Sequence, residues 1–353
     1  MSDDVKQPAD SADMKSDIFS KETEGLSQAQ IVRKRFFQHK AAMTSLFVLL
    51  GIIFFVFSAQ SISLGPVKYP GWWKYDYEQI SDLRIAECSG GVVGCPSLDV
   101  FPSFIDGTPM QIGEHPFGQD DIGRDYFAMV MRGAQRSLLV MVIIGSLGAA
   151  LGTVIGAIAG FFRGWVDAIL MRFTDFIITV PTIVLGAVIG YHFGNLGAVF
   201  LAFFLGIFAW TGISRLVRGE FLKLRELEFV DAARVAGAST RRIIFKHILP
   251  NAVGVIIVSA TLLMSGAILL ETGLSYLGFG VVPPDVSLGL LISNYQDAFT
   301  VRPWLFWWPG LFIIAVALCV NFIGDGLRDA FDPRQRRGMS RKDKASLASG
   351  ESK

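Results

Sequence analysis

Few side chains in this sequence are placed for covalent or metal chemistry, and the first pair is Cys88 and Cys95. They bracket Ser-Gly-Gly-Val-Val-Gly. In an oxidising compartment this spacing suits a small disulfide loop, and two free thiols are the alternative. No CxxC or Cys/His cluster offers a structural zinc site. Neither HExxH nor GxSxG occurs, and no GxxxxGK[ST] loop is present to hold a nucleotide. Hence no catalytic residue, metal ligand or bound cofactor is assigned, and an enzyme is not expected. Charged residues within apolar stretches are equally sparse. Arg172 and Asp175, three apart, suit a local ion pair. Glu271 falls near the outer surface, and His192 falls in an outer turn and reads as solvated. Without a chain of buried carboxylates or histidines, a proton-driven carrier is disfavoured.

The elements that position these residues are long apolar helices. Of 353 residues, 52% are hydrophobic and 18% charged, against about a quarter charged in an ordinary soluble domain. Apolar runs cover residues 41–59, 138–162, 251–270 and 304–320. The region 173–214, interrupted by Tyr-His-Phe-Gly-Asn at 191–195, reads as two helices (173–190 and 196–214) with a very short turn. Each of the six meets the roughly 17–25 residues that cross a bilayer core. The expected fold is all-α, a polytopic membrane protein with six transmembrane helices. The long polar leader argues for a retained first helix over a cleaved signal.

Orientation follows from Lys and Arg. Segments 1–40, 161–172, 215–250 and 321–353 hold 25 of the 32 basic residues, and 60–136, 191–195 and 274–303 hold the other 7. The positive-inside pattern puts both termini in the cytoplasm. The expected organisation is a cytoplasmic tail (1–40), a first span (41–59), a long extracytoplasmic segment (60–136), a five-helix core (137–326) and a second tail (327–353). Residues 1–30 read as disordered, and the basic stretch 31–40 as an amphipathic segment at the inner surface. A net charge of +1 gives no sign of a nucleic-acid partner.

Tyr69, Trp72, Trp73, Tyr75 and Tyr77 suit a surface at headgroup level. Gly148, Gly152, Gly156 and Gly160 recur every four residues. Such a smooth stripe allows close helix approach, either at a moving or subunit-contacting seam or in static packing within the bundle. Pro181 should kink the third helix, and no matching interruption stands out elsewhere.

The most informative stretch is the inner loop, 215–250. Glu228 to residue 236 should form a short helix, with Asp231 in it and small Ala232 and Ala233 permitting close approach by a partner. Gly237 permits the left-handed turn that ends it, and Ser239 is a good N-cap for a second helix. That helix carries Ile243, Ile244 and Ile248 on one side and Arg241, Arg242 and Lys246 elsewhere, until Pro250 breaks it and opens the fifth span. The element looks made to insert into another protein; an amphipathic hairpin on lipid is the alternative.

The spacing Asp231-Ala232-Ala233-x3-Gly237-x11-Leu249-Pro250 resembles the signature loop of membrane subunits of ATP-binding-cassette importers. The family usually has Glu at Asp231 and often Ile at His247. His115-Pro-Phe-Gly118-Gln-Asp120-Asp-Ile-Gly123-Arg124-Asp125, the stretch from Glu271 to Pro284, and the ending from Gly324 to Pro333 are similar to the dipeptide, oligopeptide and nickel branch, C-type subunit. The likeness covers about 30–335; the insert at 66–110 is longer than the family expects. The resemblance implies an importer-type permease fold and a multi-pass subunit of the plasma or inner membrane. It also implies a second related permease that shares the path, two cytoplasmic ATPase subunits that hydrolyse ATP and dock on the inner loop, and an extracytoplasmic solute-binding protein. The docking residues it points to are Glu228, Asp231, Ala232, Ala233, Gly237, Ser239, Arg241, His247, Leu249 and Pro250. Peptide is the implied cargo, with a metal chelate or other small solute as the alternative and an ion-coupled carrier a distant third. Substrate-binding residues are not assigned.

Overall fold

The computed structural model describes residues 28–64, 67–83, 93–99 and 111–331. Residues 1–27 and 332–353, at the ends of the two expected tails, lie outside the described residues, as do Cys88 and the parts of the insert at 66, 84–92 and 100–110.

Helix α1 (Gln28–Gln38) meets α2 (Lys40–Ala59) at His39. The His39 ring caps α2, its Nδ1 accepting the Ala42 amide at 3.1 Å, while Nε2 lies 3.4 Å from Asp329. After α2 come two short antiparallel ladders, β1 (Ile62–Leu64) with β2 (Val67–Tyr69) and β3 (Leu98–Asp99) with β4 (Gln111–Ile112). Helix α3 (Tyr126–Phe162) then runs 37 residues. It starts twelve residues before the apolar run because Asp125 caps it, accepting the Ala128 amide at 2.9 Å.

The third and fourth apolar regions are broken. Helix α4 (Gly164–Ile178) and α5 (Thr182–Phe193) meet at 77° around Pro181, and α6 (Ala198–Phe208) and α7 (Thr211–Leu224) meet at 41° around Ala209 and Trp210. Two expectations are corrected here. Pro181 ends a helix rather than kinking one, because it lacks the N–H that would continue the ladder. Its interruption also has a counterpart, at a place marked by no proline. The outer turn lies at Gly197 (φ 95°), since residues 191–193 are helical and 194–196 form a 3-10 turn.

Helix α8 (Glu228–Val235) precedes α9 (Thr240–Tyr276), which includes a π-helical turn at Ile243–Ile248. Helix α10 (Leu288–Tyr295) and α11 (Trp304–Phe331) complete the chain. By length and composition α2, α3, α9 and α11 can each cross a membrane, and counting each bent pair as one span raises the number from four to six. The fold is an all-α, multi-pass membrane protein, and large exposed side chains such as Phe47, Phe54, Phe176 and Ile314 lie on these spans.

Helix α3 is the centre of the bundle. Its first half packs with α2, α10 and α11 through Val56, Tyr126, Met131, Leu291 and Ile313. The middle meets α5, α6 and α9 through Ile144, Ile189, Leu201 and Leu274. Its last turns join α7, α8 and the start of α9 through Phe161, Val217, Phe221, Val230 and Ile248.

Candidate functional site

The loop between α7 and α9 is a helix–turn–helix built by local backbone chemistry. Helix α8 has Glu228 and Asp231 in its first turn, where the positive end of the helix dipole favours them. Its last turn closes with Ala238 N–H donating to the Ala233 carbonyl (3.0 Å) and Gly237 N–H to that of Arg234 (2.9 Å). This paired C-terminal cap needs a left-handed residue, and Gly237 supplies it at φ 76°. Ser239 caps the next helix as expected, its hydroxyl accepting the Arg242 amide at 3.4 Å.

Beyond Ser239 the structure corrects two expectations. Pro250 does not break the second helix, which runs unbroken from Thr240 to Tyr276. The π turn absorbs the proline: the Leu249 amide bonds five residues back to Ile244, so the ladder is already shifted where the N–H is missing. Nor do Ile243 and Ile248 form an outward ridge. Both are buried against Phe221, Leu224, Val230 and Ala252, because this pair seals α8 and α9 onto the C-terminal end of α7. The exposed apolar groups are Val235 (89% exposed) and Phe245 (66%), with Leu227, Phe229 and Ala232. Asp231 pairs with Arg234 at 2.8 Å, Arg241 is exposed, His247 and Leu249 are half-buried, and the His247 carbonyl accepts from Asn251 at 2.7 Å.

The glycine stripe holds this loop's base. A Cβ at Gly148 would meet Leu263 (2.7 Å) and Ala209, at Gly152 Ile213 (2.8 Å), at Gly156 the Ser214 carbonyl and Val217 (2.8 Å), and at Gly160 Phe221 (2.7 Å). All four glycines are therefore closed against α7 and its neighbours within this chain, so the stripe is not a free subunit-contacting face. Ion pairs reinforce the clamp: Arg163 with Glu226 at 3.0 Å, Arg218 with Asp167, and Arg215 with Asp175. Asp175 thus pairs with a residue forty positions away instead of with Arg172. Arg225 also bonds the Phe161 carbonyl. Burial first, and then the charges of Arg163 and Arg234, push its guanidinium down from the usual arginine range.

At the opposite end the segment 115–125 caps the bundle. Asp125 binds His115 (2.8 Å) and the Trp73 indole (2.7 Å), and Tyr75 stacks on the His115 ring. Asp120 binds Arg124 (2.6 Å) and accepts from the Tyr295 hydroxyl (3.0 Å). Trp73 and Tyr75 are thereby half-buried in a polar cap, Tyr77 is half-buried beside Arg132, and Tyr69 and Trp72 stay exposed. Glu271, expected near the outer surface, is wholly buried, bonded to Ser137 and Ser275. Cys95 is in a disulfide and Cys319 is a buried free thiol. Among the described residues no group of His, Cys, Asp and Glu could hold a metal.

The family described as the binding-protein-dependent transport system inner membrane component matches residues 152–337, and the N-terminal transmembrane domain of oligopeptide transport permease C matches residues 27–85. The oligopeptide transport system permease protein OppC of Mycobacterium tuberculosis is 36% identical over 315 residues, 89% of this chain and 97% of the relative. The protein of the same name from Haemophilus influenzae is 37% identical over 314 residues, 89% of this chain and 91% of the relative. The chain belongs to this permease family. A permease subunit is what the inner-loop resemblance implied, and the family match bears it out. Among solved structures, an inward-facing MetNI methionine ABC transporter aligns with 58% of this chain and 96% of its own, at 20% identity and a TM-score of 0.48. Family membership, rather than the count of helix interruptions, now separates this permease from an ion-coupled carrier, since the bundle has two sharply bent helix pairs.

Proposed function

We propose that this chain forms the path of an ATP-driven peptide importer with a second related permease, and that two cytoplasmic ATPases dock on residues 228–250. Peptide as cargo is supported by the relatives named for oligopeptide transport. The observation that carries the docking reading is the exposure of Val235 and Phe245 on a helix–turn–helix whose other face is sealed to α7. Exposed Leu227, Phe229 and Val235 on one short helix and its N-cap, with Phe245 on the next, support a protein contact there, since grouped exposed apolar surface marks interaction sites. The docking set is Glu228, Asp231, Ala232, Ala233, Gly237, Ser239, Arg241, His247, Leu249 and Pro250, with Val235 and Phe245 as its apolar contacts. Of these, Gly237, Ser239 and Pro250 act by shaping the turn.

The Lys/Arg bias favours this loop and both termini in the cytoplasm, with the 115–125 cap outside, where a solute-binding protein would deliver its load. In that oxidising compartment Cys88 is the proposed partner of Cys95. The ion pairs and glycine contacts between α3, α4 and α7 let a displaced loop carry intact helices with it, as lipid forbids unravelled backbone.

The test replaces Val235 or Phe245 by Asp in the assembled transporter. Co-purification of the ATPases and peptide-stimulated ATP hydrolysis should fall, while the chain still inserts and pairs with its sister permease. Normal ATPase recovery and uptake in both variants would remove the docking assignment.

A further inference from the structure

Between the two broken spans lies a recess of about 310 Å³. Ile177, Val180, Leu185, Phe208 and Leu270 give it apolar walls, Thr182 and Thr211 add hydroxyls, and Gly212 opens its floor. Its depth follows from helix lengths. Helices α5 and α6 have 12 and 11 residues, so at 1.5 Å per residue they reach about 18 and 16 Å from the turn at Gly197. That is roughly half of a core about 30 Å thick. Both interruptions therefore fall near the membrane midplane.

Lipid is a poor occupant for such a place. Thr179 to Thr182 are exposed, and Pro181 has no amide to offer. Irregular backbone at this depth is tolerated only against protein or along a water-filled cavity, and half-helix ends at the midplane are where transporters of other kinds hold their substrates. A packed helix is also a poor occupant, because its diameter with side chains is about 10–12 Å, too large for this recess. A single side chain and some water fit.

We propose that this recess is a subsite for an apolar side chain of the peptide in transit. The inference rests on the peptide-import reading and deepens it. The aliphatic walls receive the side chain, and the two threonines supply hydroxyls for the polar main chain of the cargo. It names the broken spans as this chain's contribution to the path, which periodicity alone could not reveal.

The test uses the complete transporter in proteoliposomes, with saturating binding protein, and compares uptake of Ala-Ala-Ala with Ala-Phe-Ala. Gly212→Phe adds bulk at the recess from a position where a Cβ meets no atom within 4 Å. Val180→Phe fills it from the other wall. In both variants Ala-Phe-Ala uptake should drop roughly tenfold or more against Ala-Ala-Ala, the scale on which apolar pockets discriminate. Equal effects on both peptides, no effect on either, or loss of pairing with the sister permease would overturn the subsite. A wild-type transporter that moves neither peptide would instead overturn the import reading, and the subsite with it.

Discussion

Arg218 grips Asp167 through two hydrogen bonds, Nε to Oδ1 at 2.5 Å and Nη2 to Oδ2 at 2.7 Å. The pair ties α7 to α4, a half-span that otherwise presents mostly exposed side chains. Forked charge-assisted bonds of this kind are the strong class, and both groups are partly screened by solvent, which tempers their worth.

Asp167→Ala should destabilise the assembled permease by about 1–3 kcal/mol, the range for hydrogen bonds to charged groups and the penalty of an unmatched donor. The readout is the Tm of the purified complex in detergent. Exchanging the two residues, Asp167→Arg with Arg218→Asp, should restore part of the loss. A swap no better than the single variant would mean the pair is not what holds α4.

Gly237 sits at φ 76° with open space where a Cβ would point. Gly237→Ala therefore meets no atom of this chain, and its cost is the left-handed backbone alone, about 1–2 kcal/mol. Insertion and pairing with the sister permease should persist. Gly237→Val adds a branched side chain on the docking face and should reduce ATPase co-purification well beyond Gly237→Ala. Equal binding by the two would place the turn away from the interface.

How much of this was legible beforehand depends on whether the signal is local. Gly237 and Ser239 announce a turn and a cap through their own backbone chemistry, and the structure places both as read. Polar pairing across the fold left no such trace: Asp175 forms its ion pair with Arg215 rather than Arg172, and the Trp73 indole donates to Asp125 across fifty-two positions. Ile243 and Ile248 were visible as one apolar face, but a face turned to its own chain and one turned to a partner have the same periodicity. The break at Ala209 and Trp210 lacks a proline and is set by packing, so only Pro181 showed in the sequence.

Glu271 joins three helical elements. It accepts from Ser137 of α3 (3.1 Å) and Ser275 of α9 (2.8 Å), and Ser137 in turn accepts the Leu288 amide that opens α10 (3.1 Å). Glu271→Gln keeps an acceptor within reach of the hydroxyls and should be mild. Glu271→Leu leaves two buried hydroxyls without their acceptor, at about 1–3 kcal/mol each. Denaturation of the purified complex should rank Leu clearly below Gln. Equal stabilities would show that the serines find other partners and that the carboxylate is not the hub.

Tyr295 offers a pH test at the 115–125 cap. Burial first, then the neighbouring Asp120 charge, push its phenol well above the usual tyrosine range, with Arg124 pulling the other way. A raised pKa in the fold means the neutral phenol is favoured there. Its contribution is fully present below the unfolded value of about 10 and is lost as pH rises from there through the folded value. Between pH 10 and 11 the wild-type complex should lose stability faster than Tyr295→Phe, which has no phenol to titrate. At pH 7 wild type should be the more stable of the two, because Phe forfeits the 3.0 Å bond to Asp120. Melting curves at the two pH values decide it: parallel slopes for wild type and Tyr295→Phe would mean that the phenol is free to ionise in the fold.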